Sequence, residues 1–249
     1  MTPINASNRL VLALDVATID EARELVHQLD GTVSFFKIGL ELYAACGLEL
    51  AKELVSSGKQ VFLDLKYFDV PETVKRAVNR VASLGATFLT IHGNSEIIKA
   101  AVEGRGNSNL KLLSVTVLTS LDEADIHELG FPCTIADLVT YRAVKALEAG
   151  CDGVITSAKE AERVRDLARL KSNNKFLVVT PGIRPAGTSQ HDQKRLATPA
   201  AAINAGADYL VVGRPIRDAA DRRQAAQAII AEMQAAFDEV TSAFPAPHS

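Results

Sequence analysis

The feature of this chain that most limits how it can fold is a regular alternation of short apolar runs with longer, helix-forming stretches. Eight runs rich in β-branched and aromatic residues occur between residues 9 and 213, and each is followed by a segment with helical spacing of its apolar residues. The predicted strands are Arg9–Asp15, Val33–Lys37, Gln60–Lys66, Thr87–His92, Lys111–Thr119, Gly153–Ser157, Lys175–Thr180 and Tyr209–Gly213. The predicted helices are Ile19–Leu29, Leu40–Ser57, Glu72–Leu84, Glu96–Glu103, Thr134–Ala149, Ala158–Leu170, Pro199–Ala205 and Asp218–Glu239.

This alternation predicts an α/β protein, a single (β/α)8 TIM barrel that occupies residues 1–249 as one domain. The alternative is an open doubly wound sheet, which usually has fewer strands at this length and a glycine-rich turn after its first strand. The first predicted strand here ends in LALDVATID, which contains no glycine, so the barrel is favoured. The last residues, 244–249, are expected to form a frayed tail.

Composition and charge exclude several classes of protein. Lys and Arg number 27 against 30 Asp and Glu, and no basic block is present, which argues against binding to nucleic acid. No apolar run reaches the ~18–20 residues needed to span a membrane, and the N-terminus lacks the pattern of a signal peptide. The cysteines Cys46, Cys133 and Cys151 show neither a CxxC motif nor metal-ligand spacing. We therefore expect a cytoplasmic protein with free thiols and no metal site.

Charged side chains stand at the carboxyl ends of the first three predicted strands, where a barrel of this kind places its active site. In VFLDLKYFDVPETV, Asp64 and Lys66 are two residues apart and therefore on one face of the strand, and Asp69 falls in the following turn. Asp15 and Lys37 are expected at the same rim. Alternating carboxylates hold lysines protonated, and such a lysine can donate a proton to a developing carbanion. The alternative is a buried ion pair with a structural role only.

Two segments near the end of the chain are suited to bind an anion. The eighth strand ends in VVGRPI, where Gly213 permits a close backbone approach and Arg214 supplies a forked donor. A long polar segment, Val179–Arg195, contains Arg184 and Gln193, and loops of this length are often functional. The alternative for that segment is a solvated surface loop.

Three polar residues at other strand ends are weaker candidates. Thr119 and Ser120 stand at the end of the fifth strand and can hydrogen-bond a base or an amide, or can cap a turn. His92 ends the fourth strand in TIHG, and a single histidine without a second ligand nearby favours a rim position over a metal site. The other histidines show no pairing that would indicate a Ser–His–Asp or Cys–His set.

Together these motifs resemble those of the orotidine 5′-phosphate decarboxylase family, from roughly Arg9 to Met233. The segments that carry the resemblance are LALDV, FFKIGLEL, FLDLKYFDVPETV, TIHG, TVLTS, TPGIRP with HDQKR, and VVGRPI. The D-x-K-x-x-D element is shared by a wider group of barrel decarboxylases and aldolases, whereas its combination with the other segments is more specific. The resemblance implies decarboxylation of orotidine 5′-monophosphate to UMP, the last step of de novo pyrimidine nucleotide biosynthesis, without metal or cofactor.

The resemblance also implies residue roles. Lys66 would protonate C6 of the pyrimidine, and Asp64 would lie against the substrate carboxylate. Lys37 would belong to the same charge array, which Asp69 would complete from the neighbouring subunit of a homodimer. The implied substrate-binding residues are Asp15 at a ribose hydroxyl, Thr73 of the neighbouring subunit at the ribose, Thr119 and Ser120 at the pyrimidine, Arg184, Gln193, Gly213 and Arg214 at the phosphate and its loop, and Pro181. This chain has Tyr67-Phe68 where many relatives carry Phe-His, so the resemblance assigns this pair no role.

Two alternatives for function stay open at this point. Mg²⁺-dependent 3-keto-L-gulonate-6-phosphate decarboxylases and hexulose-phosphate synthases share the D-x-K-x-x-D element, but they carry an acidic residue where Lys37 stands. A non-enzymatic nucleotide sensor on a barrel scaffold is the second alternative. A complete charge array argues against it, because a sensor has no need of a proton donor.

Overall fold

A computed structural model, which describes residues 5–185 and 196–243, shows a closed barrel of eight parallel strands arranged in chain order. The strands are β1 (Leu10–Ala13), β2 (Phe35–Ile38), β3 (Gln60–Tyr67), β4 (Phe88–Ile91), β5 (Lys111–Val115), β6 (Gly153–Ile155), β7 (Leu177–Thr180) and β8 (Tyr209–Val212). β8 pairs with β1 through Val211 and Val11, which closes the barrel. The predicted barrel is confirmed, and the open sheet was the wrong alternative.

Helices follow the strands and form the outer layer. They are α1 (Ile19–Gln28), α2 (Leu40–Cys46), α3 (Glu49–Ser56), α4 (Pro71–Leu84), α5 (Ser95–Arg105), α6 (Glu123–Glu128), α7 (Ile135–Glu148), α8 (Ala158–Leu170), α9 (Pro199–Asn204), α10 (Arg214–Arg217) and α11 (Arg222–Ala243). No helix in the described part of the chain is both long and apolar enough to cross a membrane.

The predicted helix Leu40–Ser57 is two helices, α2 and α3, in the structure. Gly47 separates them with a φ of 57° and a ψ of −128°, a conformation that residues with a side chain rarely adopt. A further short helix, α6, was not predicted. It begins with a capping box in which the side chains of Asp122 and Asp125 each accept a hydrogen bond from the other residue's backbone N–H.

The barrel interior is packed at its amino end. Inward-facing side chains form an apolar cluster made of Val11, Ala13, Phe35, Phe62, Phe88, Leu113, Val179 and Val211. The Phe88 ring centre lies 5.0 Å from that of Phe35 and 5.0 Å from that of Tyr209, and the Arg9 guanidinium lies 4.5 Å from the Tyr209 ring centre. Because these rings fill the lower barrel, the open volume lies at the carboxyl ends of the strands.

Alternation along β3 sorts its side chains between the two layers of the fold. Leu63 and Leu65 are buried among the outward-facing residues that pack against the helices. Asp64 and Lys66 point into the barrel mouth, as the two-residue spacing predicted. β5 is shorter than predicted and ends at Val115, so the polar pair after it lies in a loop rather than on the strand.

Candidate active site

A cavity of about 650 Å³ opens at the carboxyl ends of the strands. Its polar wall consists of predicted site residues and one further arginine, namely Asp15, Lys37, Asp64, Lys66, Thr119, Ser120, Pro181, Arg184, Gly213, Arg214 and Arg217. Its apolar floor includes Ala13, Phe62, Val115, Ile155 and Val211. Asp15 comes from the segment after β1, Lys37 from β2, and Asp64 and Lys66 from β3, whereas the arginines come from the segments after β7 and β8.

Four charged side chains form one continuous series of alternating sign. Lys37 Nζ lies 3.0 Å from Asp15 Oδ1 and 3.5 Å from Asp64 Oδ2. Lys66 Nζ lies 2.9 Å from Asp64 Oδ1. We call these residues, Asp15, Lys37, Asp64 and Lys66, the charge array. Lys37 is only 8 % exposed, so the carboxylates on both sides of its ammonium provide the partners that a buried charge requires.

The Asp64 carboxylate stays ionised because of its neighbours. Burial disfavours the charged form and by itself would raise the pKa of Asp64. The positive charges of Lys37 and Lys66, with hydrogen bonds from Lys66 and Thr90, outweigh burial and hold the pKa of this carboxyl below its ordinary value of 3.8. At neutral pH the array therefore contains a fixed negative charge beside the Lys66 ammonium.

The backbone of Lys66 is in an unusual conformation. Its φ of +48° lies in the left-handed region, which residues with a side chain seldom occupy, and the β3–β4 pairing shifts register between Leu63 and Tyr67. The Lys66 N–H donates to Thr90 Oγ1 at 2.9 Å, and the Thr90 hydroxyl donates to Asp64 Oδ1 at 3.0 Å. Sequence reasoning missed Thr90, although its position two residues after the inward-facing Phe88 was a usable signal.

Gly39 and Arg217 are two other residues that sequence reasoning missed. A Cβ at Gly39 would lie 3.1 Å from Lys37 Nζ and 3.3 Å from Asp15 Oδ1, so the absence of a side chain leaves room for this ion pair. Arg217 lines the cavity, donates to the Asp15 backbone oxygen at 2.6 Å and pairs with the Asp218 carboxylate. The segment GRPIR contains this second arginine, but only the first was singled out.

The arginines give one part of the cavity a positive character. Burial lowers the pKa of Arg184, and the nearby positive charge of Arg214 lowers it further. Two guanidinium groups in the wall of one cavity indicate a place where a bound anion would be stabilised. A phosphate group has the charge and the acceptor geometry for such a position.

Two predicted site residues in the described part of the chain, Asp69 and Thr73, do not line the cavity. Asp69 is exposed, and its Oδ1 accepts a hydrogen bond from the Val70 N–H at 2.6 Å. Thr73 lies on α4 and is half-buried. Gln193 and the predicted tail 244–249 lie outside the residues that the structure describes.

His92 lies at the rim, as predicted, and is not part of the cavity wall. Its ring meets the Phe68 ring edge to face, with centres 5.7 Å apart. Burial, followed by the positive charges of Arg142 and Lys66, lowers the pKa of His92, which favours a neutral imidazole at neutral pH. Within the described ranges there is no cluster of three or more His, Cys, Asp or Glu side chains suited to hold a metal ion.

Residues 8–229 match the family model described as the orotidine 5′-phosphate decarboxylase / HUMPS family. Among curated relatives, an orotidine 5′-phosphate decarboxylase of Nitrobacter winogradskyi is 55 % identical over 228 residues, which are 92 % of this chain and 93 % of the relative. One of Rhodopseudomonas palustris is 50 % identical over 231 residues, which are 93 % of this chain and 97 % of the relative.

Solved structures give the same result. The crystal structure of an orotidine 5′-phosphate decarboxylase from Lactobacillus acidophilus superposes with a TM-score of 0.78 at 36 % sequence identity. The match covers 91 % of this chain and 99 % of that one. The similarity therefore extends over most of the chain.

Proposed function

The chain belongs to the orotidine 5′-phosphate decarboxylase / HUMPS family, and from this membership we infer that it decarboxylates orotidine 5′-monophosphate to UMP and carbon dioxide in pyrimidine biosynthesis. The observation in the structure that best supports this function is the charge array in the cavity wall. A lysine ammonium held beside a fixed carboxylate, as Lys66 is beside Asp64, can stabilise a carbanion and then protonate it.

We propose that Lys66 is the proton donor. When the bond between C6 and the substrate carboxylate breaks, carbon dioxide leaves and the electron pair stays on C6. The Lys66 ammonium stabilises this charge because it is already oriented and needs no reorganisation, and its proton then moves to C6. The protein's own fixed charges therefore perform the task that an electron-accepting cofactor performs in other decarboxylases.

Asp64 is proposed to hold the ammonium of Lys66 and to face the substrate carboxylate. Its lowered pKa keeps it negative, so it disfavours the carboxylated substrate and tolerates neutral carbon dioxide. Asp15 and Lys37 extend the array along the cavity wall, and the Asp15 carboxylate is proposed to accept a hydrogen bond from a ribose hydroxyl.

The rest of the nucleotide is proposed to occupy the other parts of the cavity. Arg184 and Arg214 are assigned to the phosphate, since both guanidinium groups line the cavity. Pro181 and Gly213 form the neighbouring wall there, and Gln193 stays a predicted contributor to phosphate binding. Thr119 and Ser120 lie in the loop after β5 and are assigned to the polar edge of the pyrimidine.

A homodimer is also proposed, with Asp69 and Thr73 completing the site of the neighbouring subunit. Asp69 is exposed between two apolar side chains, Phe68 and Val70, which are 66 % and 62 % exposed. Apolar groups exposed on both sides of a carboxylate are typical of a surface that another subunit covers. Location in the cytoplasm and one catalytic domain over residues 1–249 stay predictions of the sequence.

The Mg²⁺-dependent alternatives are not favoured. A divalent ion shared by Asp15 and Asp64 would meet the Lys37 ammonium, which lies between these two carboxylates. A nucleotide sensor is disfavoured because binding alone does not require an oriented proton donor beside a buried carboxylate.

The test is a direct assay. The purified protein is mixed with orotidine 5′-monophosphate in the presence of EDTA, the loss of pyrimidine absorbance is followed, and the product is isolated. We expect UMP at a rate that EDTA does not change. Activity that requires Mg²⁺ and uses 3-keto-L-gulonate 6-phosphate would instead support the alternative enzyme class.

A further inference from the structure

We propose that Thr90 is a positioning residue for the decarboxylation, because it fixes the backbone of Lys66 and the carboxylate of Asp64 in one ring of hydrogen bonds. The inference rests on the proposed function, in which Lys66 donates the proton. It adds a residue on a different strand, β4, to the two residues on β3 that are assigned to the reacting end of the substrate.

The ring begins and ends on the same residue. The Lys66 N–H donates to Thr90 Oγ1, the Thr90 hydroxyl donates to Asp64 Oδ1, and the Lys66 ammonium donates to the same oxygen. The three distances are 2.9, 3.0 and 2.9 Å, all within the range of good hydrogen bonds. The backbone nitrogen and Nζ of Lys66 are thus both hydrogen-bonded to the side-chain pair of Thr90 and Asp64.

The position of Thr90 suits a positioning role and not a contact with the substrate. Its side chain is 0 % exposed, and it is not part of the cavity wall in the described residues, so it does not touch the nucleotide. Its hydroxyl accepts one hydrogen bond and donates its only proton within the ring. A valine would fill nearly the same volume but could make neither bond, whereas a serine could make both.

The ring also explains how the unusual backbone of Lys66 persists. At a φ of +48°, beside the register shift in the β3–β4 pairing, the Lys66 N–H is directed to a side-chain oxygen. Without that acceptor, the N–H is left unsatisfied or the backbone relaxes towards an extended conformation. Relaxation moves the side chain relative to the inward face of β3, because side-chain direction depends on regular alternation along the strand.

The expected effect is therefore on the chemical step more than on binding. Displacement of Nζ from C6 lowers kcat, since proton transfer and carbanion stabilisation depend on position to a fraction of an ångström. KM stays close to the wild-type value, because the phosphate, ribose and pyrimidine contacts are made by other residues.

The experiment compares hydroxyl-free and hydroxyl-bearing variants of Thr90. We expect kcat of Thr90→Val and Thr90→Ala to fall on the order of 10²-fold, with KM and UMP affinity close to wild type. The two replacements change side-chain volume differently but remove the same hydroxyl, so similar losses point to the hydroxyl. Thr90→Ser restores the hydroxyl and is expected to recover most of the rate.

Thr156→Val is the matched control. Thr156 is also a fully buried threonine next to a barrel strand, but its hydroxyl makes no hydrogen bond. This variant is expected to keep the wild-type kcat.

The inference is overturned if Thr90→Val keeps the wild-type kcat, if Thr90→Ser is as slow as Thr90→Val, or if both lose UMP affinity and thermal stability together with kcat. Loss of activity in Lys66→Ala combined with full activity in Thr90→Val would reject this inference alone and leave the proposed function intact.

Discussion

The ammonium of Lys66 lies 2.9 Å from Asp64 Oδ1 inside the cavity, although the two residues are neighbours on one strand with a single leucine between them. A regular strand would separate such side chains by the full two-residue repeat. The long side chain of Lys66 spans this repeat from a left-handed backbone position, and the other oxygen of the Asp64 carboxylate faces Lys37. The proton donor and its counter-charge are consequently held by the same short segment of β3.

Replacement of Lys66 by alanine is expected to lower kcat by at least about 10⁴-fold, because both carbanion stabilisation and the proton source are removed. The fold should be retained, since Asp64 keeps its contacts with Lys37 and Thr90. The measurements are the rate of absorbance loss, the thermal midpoint and the affinity for UMP. Lys99→Ala, which removes a surface lysine paired with Glu96, is the control and should remain active. A Lys66→Ala variant with near-normal turnover would remove Lys66 from its assigned role.

Replacement of Arg214 by alanine is expected to weaken binding through the phosphate. Loss of a charge-assisted hydrogen bond costs about 1.5–3 kcal/mol, which corresponds to roughly a 10- to 10²-fold loss in kcat/KM. The loss should be much smaller for the nucleoside orotidine, which has no phosphate. Arg169→Ala, on the exposed face of α8, serves as the control. Equal losses with the nucleotide and the nucleoside would contradict the assignment of Arg214 to the phosphate.

Replacement of Lys37 by methionine should change the pH dependence of the reaction. The pKa of Asp64 lies below 3.8 in the folded protein, so its ion pairs stabilise the fold above about pH 4 and are lost as the pH falls through the lowered pKa. Lys37 is the strongest of the influences that lower this pKa. Without it the pKa of Asp64 rises, and the acid limb of the kcat/KM profile moves to higher pH.

The profile for the Lys37 variant is best recorded from about pH 4 to pH 8, across the ordinary range for carboxyl groups and histidine. Lys99→Met is the control for loss of a positive charge elsewhere on the protein. An acid limb that stays at its wild-type position in Lys37→Met would show that Asp64 does not govern it.

Addition of a methyl group at Gly39 tests the space around the Asp15–Lys37 ion pair. The φ of Gly39 is −93°, which alanine adopts without strain, so Gly39→Ala should act only through the close approach of its Cβ to Lys37 Nζ and Asp15 Oδ1. We expect about a tenfold loss in kcat/KM, with an unchanged thermal midpoint. Wild-type kinetics in this variant would mean that the ion pair adjusts freely.

Mixing of two inactive variants tests the proposed homodimer. Lys66→Ala and Asp69→Ala should each be inactive alone, because each lacks one member of every site. In a mixed dimer, one site regains both residues, so equal amounts of the two chains should recover about a quarter of the wild-type activity. Activity that stays at the level of the separate variants would place Asp69 outside the neighbouring site.

The barrel and most of the cavity wall were predictable from the sequence for a local reason. Alternation of β-branched and aromatic residues identifies strands, and the charged residues at their ends interrupt that pattern, so Asp15, Lys37, Asp64 and Lys66 stand out. Equivalent positions on parallel strands of a barrel meet at one rim. The order of the strands was therefore enough to predict that these four residues converge.

The residues that were missed depend on contacts that spacing does not encode. Thr90 faces Asp64 because Phe62 pairs with Phe88 in the register of β3 and β4, and that register follows from packing between strands. The break at Gly47 and the positive φ of Lys66 are backbone features with no fixed residue pattern. The loop position of Thr119 likewise became visible only with the early end of β5.

The aromatic packing of the lower barrel has a consequence for the path of the products. The rings of Phe35, Phe88 and Tyr209 close the way towards the amino end of the strands. Carbon dioxide formed beside Asp64 must therefore leave through the same opening by which the nucleotide entered. Carbon dioxide and the nucleotide product therefore share one exit, at the carboxyl ends of the strands.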